Sequence, residues 1–204
     1  MHDTTSPPGT AAAYTAPPTV LIETLLLRHD TAGGFAYRRR LVPLERHADP
    51  DHTARHLADL GNPADLDQLD ERNDQHVVHS TSWRATDEGH IILTYLVHPD
   101  PQPSKPAVVL ADPHTIARSD HPSRPQPTGL ATDHVVAHAI RHLAFLARTD
   151  PVIAAHLTHH PHTHLALAAL PGLQAGRLPA TDSARTQEPE PTCPLERADH
   201  QAAP

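Results

Sequence analysis

Histidine is the residue type of this 204-residue chain that could most readily bind metal ions or act in catalysis, and the chain contains 20 histidines. Five lie close together, at positions 156, 159, 160, 162 and 164. Because imidazole nitrogen is a good ligand for Zn²⁺ and Ni²⁺, this segment is expected to bind such ions weakly in vitro. Histidine is abundant along the whole chain, so we interpret these five histidines as a result of the overall composition rather than as a functional site. A metal-handling protein remains the weaker alternative.

A second set of histidines recurs every four residues, at His134, His138 and His142. A helix is predicted there, and residues four apart lie on the same helical face. Two histidines at this spacing can bind one metal ion, but no third ligand follows from the sequence. We therefore expect this face to line a pocket or to border the core, and we expect neither a metal site nor a cofactor.

Three short segments could together bind and transfer a phosphoryl group. An apolar strand ends in Arg28-His29, a small-residue stretch runs from Ser80 to Arg84, and a further His-Arg pair is formed by His138 and Arg141. This arrangement resembles the histidine phosphatase superfamily, which has the phosphoglycerate mutase-like fold. The resemblance implies a phosphohydrolase with His29 as nucleophile, Arg28 and Arg84 as phosphate ligands and His138 as the second histidine of the pocket.

The residues themselves favour a simpler hypothesis, in which the protein binds an unidentified small ligand or a protein partner without an evident enzyme site. One predicted strand, residues 79–84, is rich in hydroxyl and imidazole groups beside the only tryptophan. The hairpin at residues 28–40 contributes three consecutive arginines. Ligand-binding candidates on these elements and on the histidine-lined helix are Trp83, Ser80, Ser82, Arg38, Arg40 and His142.

Composition excludes several classes of protein. The formal net charge of −8 argues against binding to nucleic acid. One cysteine, Cys193, cannot form an intramolecular disulfide. The chain has no apolar run long enough for a membrane span and no pattern of a secretory signal, so a cytoplasmic protein is expected. A single lysine, Lys105, among 16 basic residues indicates the codon usage of a GC-rich bacterium, which also raises the histidine content.

The elements that must position these residues follow from apolar patterning. Two hairpins are predicted, over residues 19–44 and 76–98, and a short strand over 107–111. Asp-Pro pairs at residues 49–50 and 150–151 predict helix starts, and a longer amphipathic helix is predicted over 133–148. We therefore expect one α+β domain over residues 19–173, with a mostly antiparallel sheet built from two hairpins and helices packed on one face. Residues 1–18 and 174–204 are expected to be disordered tails.

Overall fold

The computed structural model of the chain describes residues 19–172, except residues 31, 62–74, 118, 120–122 and 124–125. The two expected tails and Cys193 lie outside the described residues. Over the described residues the chain forms the strands β1 (Val20–His29), β2 (Phe35–Pro43), β3 (Val77–Ala85), β4 (Ile91–His98) and β5 (Val108–Val109). The helices described are α1 (Pro50–Leu57), α2 (Thr132–Thr149), α3 (Pro151–Thr158) and α4 (Pro161–Ala168).

The strands form one sheet in the order β3-β4-β1-β2-β5. Strands β1 and β2 form one antiparallel hairpin and β3 and β4 form the other, while β5 pairs antiparallel with β2. The predicted α+β class with a mostly antiparallel sheet of two hairpins is confirmed. The hairpins meet through a parallel pairing of β1 with β4, which places β1 in the middle of the sheet. A central strand is buried on both faces, and this explains the continuous apolar run of β1.

Helices cover both faces of the sheet. Leu25 and Leu27 of β1 belong to the main core, which they share with helices α2, α3 and α4. Ile22 and Leu26 point the other way and pack against Ala54 and Ala58, in and just after α1. The expectation of helices on one face therefore holds for three helices and is corrected for α1. Helix α1 is needed on the second face because β1 has apolar residues at both odd and even positions, which point to opposite faces of the sheet.

Aspartate and proline begin two of the helices, as predicted. The Asp49 side chain accepts a hydrogen bond from the His52 amide at the start of α1, and Asp150 accepts one from the Val152 amide at the start of α3. Helix α2 buries Val136, Ile140 and Leu143 completely against the sheet. No helix among the described residues is both long and apolar enough to cross a lipid bilayer.

Candidate functional site

Both strands of the parallel pair end in a histidine. Leu26 of β1 lies opposite Val97 of β4. His98 is the last residue of β4 and His29 the last of β1, so both lie at the same edge of the sheet, where these strands end. Ligands commonly bind where neighbouring parallel strands end, because no strand continues there to fill the space. The histidine-rich segment of α3 and α4 packs against this edge and supplies further imidazoles.

The centre of this edge is a three-histidine cluster, formed by His98, His156 and His160. One ring nitrogen from each residue lies within 4.8 Å of the other two. Nδ1 of His98 is 3.2 Å from Nε2 of His156. His98 ends β4, His156 belongs to the last turn of α3, and His160 is the N-cap residue of α4. Three separate elements therefore bring their imidazoles to one point.

The spacing of the cluster matches that of imidazoles bound to one ion. Zinc–nitrogen bonds of about 2.0–2.1 Å in a tetrahedral site place ligand nitrogens about 3.3 Å apart and ring centroids about 5 Å apart. The three ring centroids are separated by 4.8 Å between His156 and His160, 4.9 Å between His98 and His160, and 5.5 Å between His98 and His156.

Burial keeps the central ring of the cluster uncharged. His98 is 1% exposed and His156 is 9% exposed, whereas His160 is half-buried and reaches the surface. Burial, together with the charges of His160, His156 and His76, lowers the pKa of His98 to about 3. Burial first, and then the charges of His159 and His76, also lower the pKa of His160. Neutral imidazole is the form that binds metal ions.

A buried hydroxyl group orients the His98 ring. Nε2 of His98 lies 3.2 Å from Oγ1 of Thr163, a residue of the first turn of α4 that is 3% exposed. A proton on Nε2 would donate to this hydroxyl and leave the lone pair of Nδ1 facing His156. Metal-binding histidines have this arrangement, in which the second ring nitrogen donates to a fixed partner and sets the tautomer.

More imidazoles surround the cluster. The ring of His29 lies 5.6 Å from the ring of His162, between centroids. His162 is exposed and His29 is half-buried, so this pair forms the solvent side of the same edge. His76 immediately precedes β3 and lies near enough to affect the pKa values of His98 and His160.

The ligand-binding candidates from the sequence lie on two faces of the sheet. A β-bulge between Ser80 and Ser82 reverses the alternation of β3. Ser82 therefore faces α2, while Ser80 and Trp83 face the α1 side, where Trp83 is 68% exposed. His142 lies on the α2 side, and its Nε2 is 3.2 Å from Nε2 of His79.

The basic strand β2 contributes arginines that already have partners. Arg38 pairs with Asp100 through two hydrogen bonds, and Arg40 donates to the carbonyl of Leu57 at 2.5 Å and to Asp59 at 3.0 Å. Both side chains lie on the α1 face of the sheet, away from His142. The predicted residues thus do not assemble into one binding surface.

The four residues named by the histidine phosphatase resemblance also lie apart. Arg28 donates to the carbonyl groups of Pro103 and Lys105, at the end of β1. Arg84 of β3 lies opposite Ile92 of β4, and Ile92 lies opposite Leu21 of β1. Leu21 is seven residues before Arg28, so Arg84 and Arg28 are about 23 Å apart along the strand direction.

His138 and His29 likewise belong to different neighbourhoods. His138 contacts the backbone of Thr81 on β3, and burial lowers its pKa. His29 contacts His162 instead. The structure does not bring the four residues into one pocket, and the resemblance itself stays a prediction.

A buried carboxylate explains the position of Arg84. Glu23 is fully buried and accepts two hydrogen bonds from Arg84, at 2.7 Å each, one from Arg39 at 2.6 Å and one from Thr94 at 2.8 Å. Burial works to raise the pKa of Glu23, but Arg84, with Arg39 and Thr94, holds it below its usual range. A lone glutamate inside an apolar strand was the sequence signal for this network, which our sequence analysis missed.

Sequence reasoning identified two of the three clustered histidines and missed the third. His156 and His160 belong to the histidine-rich segment, whereas the sequence pattern predicts only that His98 ends an arm of the hairpin over residues 76–98. Comparison of the chain with protein-family models, with curated proteins and with solved structures finds no match. The case for a site therefore rests on the geometry of the residues themselves.

Proposed function

We propose that the protein binds a divalent transition-metal ion, Zn²⁺ being the expected one, through His98, His156 and His160. The observation that carries the proposal is the approach of three imidazole nitrogens to within 4.8 Å of one another. Imidazole ligands suit Zn²⁺, Cu²⁺ and Ni²⁺, and three histidines are a known ligand set for Zn²⁺.

The surroundings of the cluster support an ion over simple packing of rings. Three separate elements bring three imidazoles to one point, and two of these rings are buried there. The contact between His98 and His156 uses one nitrogen of each, and a metal ion would use a lone pair of all three at once. The Thr163 hydroxyl lies beside Nε2 of His98, where it can accept a hydrogen bond from the tautomer that an ion requires.

This proposal replaces the sequence-based expectation of no metal site. The histidine-rich segment alone offered exposed rings on short helices, which bind ions weakly. His98 changes that interpretation because it adds a buried ligand from a rigid strand, 58 residues before His156. The proposal takes up the weaker alternative of the sequence analysis, a metal-handling protein.

The test is a Zn²⁺ titration of the full chain at pH 7.5 in competition with a chromophoric chelator. We expect one ion per chain with an apparent Kd of about 1 μM or tighter, which corresponds to about 8 kcal/mol. His160→Ala should weaken binding by more than about 100-fold, because even partners outside the coordination sphere contribute about 10- to 100-fold. His160 is only half-buried, so its removal should leave the fold intact.

His164→Ala is the matched control. His164 is exposed on the same helix α4, four residues further on, and takes no part in the cluster. Its replacement should leave the affinity unchanged, and far-ultraviolet circular dichroism should show that both variants are folded. Equal losses in the two variants would mean that surface histidines bind the ion, which would refute the proposal.

A further inference from the structure

We propose that the metal ion held by the three-histidine cluster keeps an open coordination position, which binds a small oxyanion such as phosphate or a carboxylate. This inference rests on the proposed function and names the ligand class of the same site.

The ligand set is incomplete and uncharged. Over the described part of the chain, no carboxylate or thiolate joins His98, His156 and His160 in the group that could hold an ion. Three neutral imidazoles leave the full double positive charge on the ion, and sites with three protein ligands keep the fourth position for water or substrate. An anion in that position would offset the charge that the protein leaves uncompensated.

The cluster borders solvent at His160. His98 and His156 are almost completely buried, whereas His160 is half-buried and follows the exposed His159. An ion bound by all three rings would therefore lie close to the protein surface, within reach of a small molecule from solvent.

The border of the site attracts negative charge. His160 is the N-cap residue of α4, and its side chain makes no capping hydrogen bond to the helix backbone. Uncapped N–H groups and the helix dipole favour an anion at this end. His162, in the first turn of the same helix, and His29, whose ring lies 5.6 Å from it, add imidazole N–H donors.

The experiment uses the full chain loaded with one equivalent of Co²⁺, whose visible absorption reports its coordination. Phosphate, acetate and uncharged acetamide are titrated separately, and retention of Co²⁺ is checked after desalting. We expect phosphate or acetate to change the cobalt bands with saturation and acetamide to leave them unchanged. A response to phosphate alone identifies a phosphate site, and a response to both anions identifies a general oxyanion site.

A variant locates the anion. His162→Ala should weaken the anion response about 10-fold while Co²⁺ affinity stays the same, because it removes an imidazole donor from the first turn of α4, the helix that begins at the ligand His160. His164→Ala, on the same helix, should leave both quantities unchanged.

The two proposals fail in different ways. Cobalt bound at the cluster with bands that no anion alters would show a closed site and would overturn this inference alone. If the full chain does not bind cobalt, or if the His160→Ala variant still binds it equally well, the proposed function is overturned and this inference with it.

Discussion

Nε2 of His98 lies 3.2 Å from the hydroxyl oxygen of Thr163, and this contact connects the end of strand β4 to the first turn of helix α4. Both residues are buried, so the contact is shielded from competition by water. It sets the direction in which the other nitrogen of His98 points. The metal-binding geometry therefore depends on a residue that does not itself bind the ion.

Removal of this hydroxyl group should weaken metal binding. Thr163→Val keeps the shape of the side chain but leaves Nε2 of His98 without its partner, and we expect a loss of about 10-fold in Zn²⁺ affinity. Thr163→Ser keeps the hydroxyl and should restore most of the affinity. The measurement is the same chelator competition at pH 7.5. Equal affinity of the valine and serine variants would show that the contact does not orient the ring.

Acid should destabilise the metal-free protein through His98. Its pKa is lowered to about 3 in the folded chain, whereas an imidazole in the unfolded chain titrates near about 6.5. Below about pH 6.5 the unfolded chain binds a proton that the folded chain does not accept. The stabilising contribution is therefore complete above that pH and is lost as the pH falls toward 3, by about 2 kcal/mol at pH 5.

Urea unfolding at pH 7.5 and pH 5, with a chelator present, measures this loss. Burial also lowers the pKa values of His79 and His138, so their contributions have the same sign. His98→Gln should reduce the difference between the two pH values, although the variant is less stable at both. His164→Gln, at an exposed position, should retain the full difference. A difference unchanged by His98→Gln would assign acid sensitivity to other groups.

Glu23 should be the most sensitive carboxylate of the sheet. It is fully buried and holds Arg39 and Arg84 together across three strands. Glu23→Gln leaves the partly buried guanidinium of Arg84 without a negative partner, and we expect a loss of about 3 kcal/mol in the free energy of unfolding. Glu45→Gln, at an exposed position, is the control and should change stability little. Similar urea midpoints for the two variants would contradict this account.

Local signals explain which parts of the fold could be predicted. Alternating apolar residues and a glycine turn define each hairpin, and Asp49 and Asp150, each before a proline, define two helix starts. These features depend on residues close together in sequence, and the predicted hairpins and helices are confirmed. The parallel pairing of β1 with β4 joins segments about 70 residues apart, and nothing local specifies it.

The candidate site shows the same division. His156 and His160 lie in one segment and were noted for their composition, but His98 reaches them only through the parallel pairing and the packing of α3 and α4. The bulge beside Ser80 separates residues that strict alternation would place together. It puts Ser82 on the α2 face and Trp83 on the α1 face, the reverse of what alternation from Ser80 predicts. Residues that meet through non-local pairing or a bulge cannot be grouped by sequence spacing alone.

Metal binding should hold the two short C-terminal helices against the sheet. The cluster takes one ligand from β4, one from α3 and one from the start of α4, so an ion would link all three elements. At a free Zn²⁺ concentration of about 100 times Kd, binding stabilises the linked state by about 2.7 kcal/mol. Amide hydrogens that exchange when α3 and α4 open should therefore exchange about 100-fold more slowly. Hydrogen exchange with and without Zn²⁺ measures this for peptides covering residues 151–168.

Helix α1 provides the internal reference for that measurement. It lies on the opposite face of the sheet and packs through Ala54 against Ile22, away from the cluster. Amides of α1 that exchange by local opening should show no change on addition of Zn²⁺, and His160→Ala should abolish the effect on α3 and α4. Uniform slowing across both faces would indicate that the ion stabilises the whole fold rather than linking these helices, and no slowing at all would contradict a site shared by three elements.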